Sequence, residues 1–376
     1  MLQSSRHVEA LILGGGPAGL AAAIALRQRG LECLIVDPLR PPIEKGCGEG
    51  LMPGTLRALR KLGITITEDE GYPFEGIRFV DSAHQVEARF PDGTGIGLRR
   101  THLHRRMHEH AANMGTNFAW GSHAKLTPDG KVFVDDREMH FRWLIGADGT
   151  ASSVRKWANL EASSESSRRF GFRRHYRVAP WSPHVEIHWA PSGQVYVTPV
   201  APDQICLVFI SRNGRVNREN FLEAFPQVLQ RLKGATLVTD QRAALSATRR
   251  LKHVTRDSVT LIGDASGSVD AIIGVGLAMT FQQATALATS IEEGSLSSYS
   301  KAHAEIGKRP HAMSRLMLLM DRWSMLQRHA LGTLSGDETL FRDLLAVHGD
   351  SESLQRFALR RGPEFGWNLL TNFCKG

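Results

Sequence analysis

The sequence predicts an α/β protein with an inserted antiparallel β-sheet and a C-terminal helical region. Three observations predict this fold. Residues 8–37 read as strand, glycine-rich turn, helix and strand; residues 170–210 contain four β-rich strings; and residues 311–332 carry a dense apolar stripe typical of a helix. The 376 residues are enough for about two domains and can bury a large core.

Composition limits the class of protein. Apolar residues make up 42% and charged residues 22%, which is ordinary globular usage and excludes a wholly disordered, collagenous or coiled-coil chain. The net charge of +8 favours anionic ligands. Basic residues are scattered as pairs such as Arg99-Arg100 and Arg173-Arg174, which we interpret mainly as solvated surface. We therefore expect no nucleic-acid partner, and membrane-surface contact is the less favoured alternative.

Cysteine usage and the N-terminus bear on location. The four cysteines, Cys33, Cys47, Cys206 and Cys374, lie far apart and show no zinc-like spacing, so we predict no metal site and a reducing compartment. The N-terminus has no signal-peptide core, and no apolar run is long enough to span a bilayer. We expect a soluble, cytoplasmic protein.

The first forty residues form a βαβ unit. The apolar strand VEALIL at 8–13 is followed by GGGPAG, an Ala/Leu-rich helix, and a second strand, ECLIVD, at 32–37. The pattern G-x-G-x-x-G falls on Gly14, Gly16 and Gly19. These glycines permit a tight turn, close approach of the backbone to a pyrophosphate, and close packing of helix on strand. The unit is therefore a predicted dinucleotide-binding site.

Three further residues of this unit are predicted cofactor contacts. Pro17 and Ala18 open the helix, and its free N–H groups and positive dipole end attract phosphates. Asp37 ends the second strand, where a carboxylate accepts hydrogen bonds from ribose hydroxyls.

Two later segments indicate which dinucleotide this site is expected to bind. Residues 141–155, FRWLIGADGTASSVR, place a Gly-Ala-Asp-Gly turn after a strand. Residues 258–284, SVTLIGDASGSVDAIIGVGLAMTFQQA, place Gly-Asp-Ala after a strand and a Gly-x-Gly before an Ala-rich helix. With these three ordered motifs the sequence resembles the single-component, class A FAD-dependent monooxygenases and the related geranylgeranyl reductases.

The resemblance implies a monooxygenase-like fold, in which a Rossmann-like FAD-binding domain carries an inserted antiparallel β-sheet substrate domain and C-terminal helices. The implied boundaries are 1–75, 97–165 and 250–300 for the FAD-binding domain, 76–96 and 166–249 for the substrate domain, and 301–376 for the helical region.

The resemblance also implies roles for individual residues. The glycines of the first turn would hold the FAD pyrophosphate, and Asp37 the adenosine ribose. Arg100 matches an arginine that contacts FAD just before a helix. Asp148 matches the acid of a motif that lies near the cofactor and is linked to NAD(P)H use; capping of the strand end is its alternative role.

The third motif would meet the reactive end of the cofactor. Gly263 and Asp264 would lie at the ribityl chain or pyrophosphate. Gly274 and Gly276 would direct backbone N–H groups at the N1/O2 edge of the flavin, where they stabilise negative charge.

Some residues depart from the hydroxylase pattern. The GDASG form lacks the His and the two prolines of many hydroxylases and favours the reductase branch. The Cys-Gly-rich loop EKGCGEG at 44–50 favours it too and makes Cys47 a candidate beside the flavin, or else a buried small apolar residue. The Trp-containing motif of halogenases is absent from the corresponding region of this chain, which disfavours halogenation. GTGIG at 93–97 lacks a preceding apolar strand, so we predict a loop there.

The middle of the chain predicts a substrate-covering sheet. Strands are expected at 170–178, 185–190, 193–200 and 204–210. Alternation along the first strand puts Phe172, Arg174 and Tyr176 on one face and Arg173, His175 and Arg177 on the other. The pattern leaves open which face meets the flavin.

Catalytic side chains are not identified by the sequence. His175, His188 and Tyr196 can exchange protons, and Arg173 and Arg174 could bind a carboxylate or phenolate. Structural roles are the alternative for each. Cys47, His175, Tyr196 and Arg174 remain the weak catalytic candidates.

We predict an FAD-dependent oxidoreductase with NAD(P)H as transient electron donor. A monooxygenase that hydroxylates or epoxidises an apolar or aromatic small molecule, with an anionic group as an option, is slightly favoured, and secondary metabolism is a suitable setting. The alternative is a geranylgeranyl-reductase-type C=C reductase acting on a polyene or lipid-like substrate. A non-catalytic flavin-binding protein is disfavoured by Asp148 and the Gly274–Gly276 loop. The stripe at 311–332 is expected to pack on the core rather than on a membrane.

Overall fold

The computed structural model describes residues 6–214 and 220–362. The strands are, in chain order, β1 (Arg6–Leu13), β2 (Cys33–Asp37), β3 (Gly50–Leu51), β4 (Tyr72–Phe74), β5 (Gly76–Val80), β6 (Gln85–Arg89), β7 (Gly95–Gly97), β8 (Asn117–Trp120), β9 (Ala124–Leu126), β10 (Val132–Val134), β11 (Arg137–Gly146), β12 (Ala162–Arg177), β13 (His184–Ala190), β14 (Gly193–Ala201), β15 (Gln204–Ser211), β16 (Thr236–Leu237), β17 (Arg242–Leu251), β18 (Thr255–Arg256) and β19 (Val259–Leu261). The α-helices are α1 (Pro17–Arg27), α2 (Pro53–Lys61), α3 (Arg100–Asn113), α4 (Ser153–Trp157), α5 (Pro226–Arg231), α6 (Gly276–Glu292), α7 (Ser297–Arg322), α8 (Ser324–Gly336) and α9 (Glu338–His348).

The first sheet is largely parallel and holds the glycine turn. Its strands run in the order β18-β19-β11-β1-β2-β8, and β1 pairs in parallel with both β2 and β11. All five residues of β2 are buried, as expected for a strand with both faces covered. Helices α1 and α6 pack on one face. The carboxyl ends of β1, β2 and β11 therefore meet at one edge and bring Gly14, Asp37 and Ala147 together.

The second sheet is mostly antiparallel, in the order β16-β12-β15-β14-β13-β5-β6, with β17 also on β12. The four strands predicted between 170 and 210 are β12 to β15, although β12 begins earlier, at Ala162. Register across the sheet places five residues in one row on the same face: Arg173, Val208, Tyr196, Ile187 and Phe79. The opposite face packs under Phe221, Phe225 and Val228.

The prediction of a loop at 93–97 is wrong at its end, because Gly95–Gly97 form β7. This strand pairs with β3 and β4 in a three-stranded sheet. A Cβ on Gly97 would lie 1.7 Å from the carbonyl oxygen of Pro199. Glycine is needed here for close approach to β14, not for a turn.

The apolar stripe at 311–332 falls on two helices rather than one. Trp323 has an extended backbone (φ −122°, ψ 100°) between the end of α7 and the start of α8. Met320, Leu331 and Leu334 pack with Phe79 and Ile187, so the stripe covers the antiparallel sheet. No helix in the described ranges is both long enough and apolar enough to cross a membrane. The predicted helical region beyond 362, including Cys374, lies outside the described residues.

Three histidines of the C-terminal helices are held neutral. Burial lowers the pKa of His303, His311 and His348 to about 4 in each case. A histidine in an unfolded chain titrates near pH 6.5. Between these values the unfolded chain binds more protons than the folded one, so stability rises with pH across this window.

We expect the melting temperature of the protein to fall as the pH is lowered from about 6.5 towards 4, because these histidines must then be charged or exposed. Scanning calorimetry at a series of pH values measures this. His348→Gln should show a shallower fall than the wild type. A melting temperature that is constant over this window would contradict the assignment of neutral, buried histidines.

Candidate active site

A cavity of about 470 Å³ lies between the two large sheets and the C-terminal helices. One end is lined by Gly16, Arg100 and Asp264 from the parallel-sheet side. Loop 45–50 lines the middle. The far end is apolar and is formed by sheet residues such as Phe79 and by helix residues such as Met317. The cavity thus joins the predicted cofactor site to an apolar compartment.

The glycine turn leaves room for a ligand at one position only. Gly14 has φ +114°, and a Cβ there would lie 2.4 Å from the Ala147 carbonyl oxygen. A Cβ on Gly19 would lie 1.8 Å from the carbonyl oxygen of Gly14. A Cβ on Gly16 would meet no described atom within 4 Å. The first two glycines are required by the protein itself, whereas Gly16 opens onto the cavity.

Asp37 holds this turn in place. One oxygen of its carboxylate accepts the Gly15 N–H at 2.7 Å, and the other accepts the Leu39 N–H at 2.8 Å. The indole of Trp120 lies over the same turn, since a Cβ on Gly15 would be 2.1 Å from its ring. Sequence reasoning missed Trp120, because only the pairing of β2 with β8 brings it to Asp37.

Opposite charges face each other at the cofactor end. Arg100 is buried, and its Nε has no hydrogen-bond partner among the described residues. The carboxyl of Asp264 faces the cavity, and desolvation by the surrounding protein raises its pKa against the attraction of Lys45 and Arg100. Lys45 was also missed by sequence reasoning. Two cations beside a glycine turn provide the charge that a pyrophosphate requires.

Asp148 makes a local contact. Its Oδ2 accepts the N–H groups of Ser153 and Val154, at 2.6 Å and 3.1 Å, and so caps the start of α4. The alternative role predicted from the sequence is a cap at the end of the strand, whereas this contact caps the start of a helix.

The loop before α6 is fixed by a buried ion pair. Arg169, 1% exposed, donates to Oδ1 of Asp270 from Nε at 3.2 Å and from Nη2 at 2.8 Å. The same carboxylate oxygen accepts the Ile272 N–H. Gly274 follows with φ +62°, and a Cβ on Gly276 would meet no described atom within 4 Å. The ion pair therefore sets the position of an open backbone segment at the cavity.

Tyr196 belongs to the same side of the cavity. Its hydroxyl lies 2.8 Å from Oε1 of Gln194 and 3.1 Å from the Ile272 carbonyl oxygen. Burial raises its pKa, so the phenol is neutral. Gln194 also donates to Asp321 at 2.9 Å and so connects the sheet with the end of α7.

A second buried network surrounds Glu49, which sequence reasoning missed. Glu49 is 3% exposed and accepts the Arg100 backbone N–H at 2.9 Å. Its carboxylate lies 2.6 Å from His175 Nε2, 3.4 Å from Arg173 Nη1 and 3.7 Å from Arg99 Nε. A buried carboxylate is stable when it is surrounded by donors in this way.

His175 is a neutral member of this network. Burial lowers its pKa, more than the contact with Glu49 raises it. Because the Glu49 carboxylate can only accept, we assign the proton to Nε2, and Nδ1 then accepts from the Thr239 hydroxyl at 2.8 Å. The buried thiol of Cys206 lies close to both residues, and its pKa is raised. A carboxylate already paired with two guanidinium groups is better explained as an ion network than as a metal ligand.

The structure separates the remaining candidates. Cys47 is half-buried on the cavity wall, and its Sγ lies 3.4 Å from the Glu49 backbone nitrogen. Arg174 lies on the other face of β12, over the rings of Phe172 and Phe221, and is not among the residues that line the cavity. The face of Arg173 and His175 is therefore the one turned to the cavity, which the sequence had left open. His188 bonds Glu186 at 3.0 Å, also away from the cavity lining.

Two arginines of the scattered basic pairs are buried. These pairs are interpreted mainly as solvated surface, although Arg100 is also a predicted FAD contact and Arg173 a candidate anion-binding residue; Arg100 is 9% and Arg173 1% exposed. Each is buried where it faces either a carboxylate or the cavity. Sequence spacing alone does not reveal such partners, because they come from distant segments.

A known family matches most of the chain. The family described as FAD binding domain matches residues 7–296. The chain belongs to this family. The chain is therefore an FAD-dependent oxidoreductase of the monooxygenase and reductase group, and the resemblance and the fold predicted from the sequence are confirmed.

Individual relatives fall on both sides of that group. The chain is 25% identical over 358 residues to a menaquinone reductase of Mycolicibacterium smegmatis, covering 85% of this chain and 86% of the relative. It is 24% identical over 356 residues to a hispidin-3-hydroxylase of Neonothopanus nambi, covering 79% and 83%. A geranylgeranyl bacteriochlorophyll reductase-like structure from Thermoplasma acidophilum has the same fold, with TM-score 0.75, 19% identity, and coverage of 98% and 100%.

The residues present fit FAD. Gly16 leaves a space that a Cβ would fill, and Arg100, whose buried Nε has no partner among the described residues, lines the same cavity. The Gly274–Gly276 segment leaves a second open backbone stretch on the cavity wall. An open glycine turn, a buried cation and a second open backbone segment are features that a bound dinucleotide requires.

Two glycine substitutions compare the open position at Gly16 with the closely packed position at Gly19. Gly16→Ala should leave the melting temperature of the FAD-free protein unchanged but weaken FAD binding at least tenfold, because only the ligand occupies that space. Gly19→Ala should destabilise the protein by about 2 kcal/mol, because its Cβ overlaps the backbone. Thermal unfolding and FAD titration measure the two effects. Equal loss of stability in both variants would contradict an open cradle at Gly16.

Glu49→Gln should destabilise the protein by about 3 kcal/mol, because the buried guanidinium group of Arg173 and the partly exposed one of Arg99 lose a buried carboxylate, although Arg173 keeps its pair with Glu44. It should also weaken FAD binding, since Arg100 is held by Glu49. Glu70→Gln is the matched control: Glu70 also pairs with an arginine, Arg106, but at the surface, where a pair contributes less than about 1 kcal/mol. Urea unfolding of both variants measures the difference. A loss in Glu49→Gln no larger than that in Glu70→Gln would show that the network is not stabilising.

Proposed function

We propose that this protein is an NAD(P)H-driven FAD monooxygenase that hydroxylates or epoxidises an elongated, apolar or aromatic small molecule. The single observation that supports this most strongly is the shape of the cavity: an apolar compartment continues directly from the cofactor site. The row from Arg173 to Phe79 crosses four inter-strand spacings, or about 19 Å. A substrate much longer than one aromatic ring can lie along it.

We assign the cofactor contacts as follows. The turn at Gly14, Gly16 and Gly19, with the start of α1 at Pro17 and Ala18, holds the pyrophosphate, together with Arg100. Asp37 lies at the adenosine ribose, Gly263 and Asp264 at the ribityl chain, and the backbone at Gly274 and Gly276 at the flavin edge. FAD, when bound, accepts a hydride from NAD(P)H and supplies the redox chemistry.

The protein's own residues determine the shape of the reaction chamber and exclude water from it. Ile187, Val208 and Phe79 face the cavity from the sheet, and Met313 and Met317 face it from α7. The polar groups of the sheet, the charged Arg173 and the neutral His175, both contact Glu49. A chamber whose few charges are already paired excludes water and orients an apolar substrate by shape.

A second function is favoured by Cys47. Cys47 lies on the cavity wall, and its thiol is a proton donor of the kind that a C=C reductase needs. The menaquinone reductase named above aligns over most of both chains. The alternative is therefore reduction of a C=C bond in a polyene or lipid-like substrate.

Labelled oxygen separates the two functions. The FAD-loaded protein is given NADPH or NADH, ¹⁸O₂ and a panel of alkylated phenols and polyprenyl quinones. A monooxygenase should place one ¹⁸O atom in the product and form nothing without oxygen. A reductase should saturate a C=C bond anaerobically with no label in the product. Saturation without label would contradict the monooxygenase proposal.

Cys47→Ala sharpens this test. A monooxygenase should retain its rate within about threefold, because no proton from the thiol is required. A reductase that uses this thiol should lose at least tenfold in turnover at unchanged FAD content. Cys33→Ala, which removes a buried thiol on β2 outside the cavity lining, is the control.

A further inference from the structure

We propose that the corner between α7 and α8 is a membrane-docking surface, which places Trp323 and Met325 into the face of an anionic lipid bilayer. The corner consists of residues 322–325, which are all exposed. Trp323 is 56% and Met325 51% exposed, whereas most large apolar side chains of the protein are buried. Leu319, one helical turn before Trp323, is also exposed.

The same helix shows opposite characters on its two sides. Met313, Met317 and Met320 of α7 line the cavity. Arg315, Leu319 and Arg322 are exposed and are spaced so that they share the outer face. An outer face that mixes arginines with large apolar side chains is typical of helices that lie in a bilayer interface.

The break between the helices brings this face to the cavity wall. The extended backbone of Trp323 ends α7 and turns the chain into α8. Met320 and Leu326, three residues before and three after Trp323, both line the cavity. The corner thus lies directly outside the wall of the apolar compartment.

The exposed charges near this corner are positive. Residues 306–336 contain five Lys or Arg residues and a single acidic residue, Asp321. Lys308 pairs with Glu305, and Arg309 pairs with Asp350. The exposed cations that remain are Arg315, Arg322 and Arg328. Asp321 is half-buried and lies 3.6 Å from Arg169 and 3.3 Å from Arg212, so its charge is compensated. Such a surface complements anionic headgroups, and tryptophan is the side chain that favours the headgroup level.

Vesicle flotation tests the proposal without any turnover. The full-length, FAD-loaded protein is mixed with vesicles of phosphatidylcholine alone, or of phosphatidylcholine and phosphatidylglycerol in equal parts. We expect it to float with the anionic vesicles only and to be released by high salt, because salt screens the arginines. Failure of the wild type to float with anionic vesicles would overturn the proposal.

Two variants locate the surface. Trp323→Ser/Met325→Ser should weaken vesicle binding at least tenfold, and Arg322→Gln/Arg328→Gln about 25-fold, or about fivefold for each arginine. The matched control, Leu229→Ser/Leu237→Ser, removes two exposed leucines outside this corner, on α5 and β16, and should bind as the wild type does. Unchanged binding by the Trp323/Met325 variant would overturn the proposal.

A second copy of the chain is the competing occupant of this surface. Sedimentation velocity of the wild type and the Trp323/Met325 variant identifies it. Self-association that the variant abolishes, in a protein that ignores anionic vesicles, would assign the corner to a dimer instead. FAD binding and the ¹⁸O₂ experiment are independent of these outcomes, so the proposed chemistry and the docking surface can fail separately.

Discussion

The buried carboxylate of Glu49 is the interaction on which the candidate site depends. It joins three segments that are far apart in the sequence: loop 44–50, the start of α3 at Arg100, and β12 at Arg173 and His175. A charge with so little exposure is tolerated only while its donors stay in place. Consequently the carboxylate that holds the start of α3 also holds β12 above the cavity. The parallel-sheet part of the protein and the antiparallel sheet are coupled by one side chain.

Arg169 and Asp270 make the corresponding connection on the other side of the cavity. Their ion pair ties β12 to the loop before α6, and Gln194 extends it to Asp321 at the end of α7. The two networks form a polar frame around walls that are otherwise apolar. Low-dielectric surroundings strengthen both networks and keep the chamber dry. In this arrangement the flavin would supply the redox chemistry, and the chain would provide a fixed space with little water. Few proton-transfer groups are then needed on the cavity wall.

Local constraints made part of this structure predictable from sequence. The glycine turn and its strands are predictable because strand, turn, helix and strand follow one another within residues 8–37, and β12 to β15 because their residues alternate or are rich in β-formers. Glu49, Arg169 and Trp120 could not be found in this way, since their partners come from distant segments. The face of β12 was ambiguous because arginines occupy both sides. The sequence predicts a loop at GTGIG because glycines usually mark turns, whereas Gly97 serves close packing against β14. The break at Trp323 contains no glycine or proline, so the sequence does not indicate it.

A spectral titration shows whether one cavity holds FAD and continues into the apolar compartment. The purified, flavin-free protein is titrated with FAD, and the complex is then exposed anaerobically to NADPH or NADH. The account predicts one FAD per chain, a perturbed flavin absorption spectrum, a further change on adding a long alkylphenol, and bleaching by the nicotinamide. A protein that stays colourless with added FAD, or a bound flavin whose spectrum ignores every apolar ligand, would contradict it.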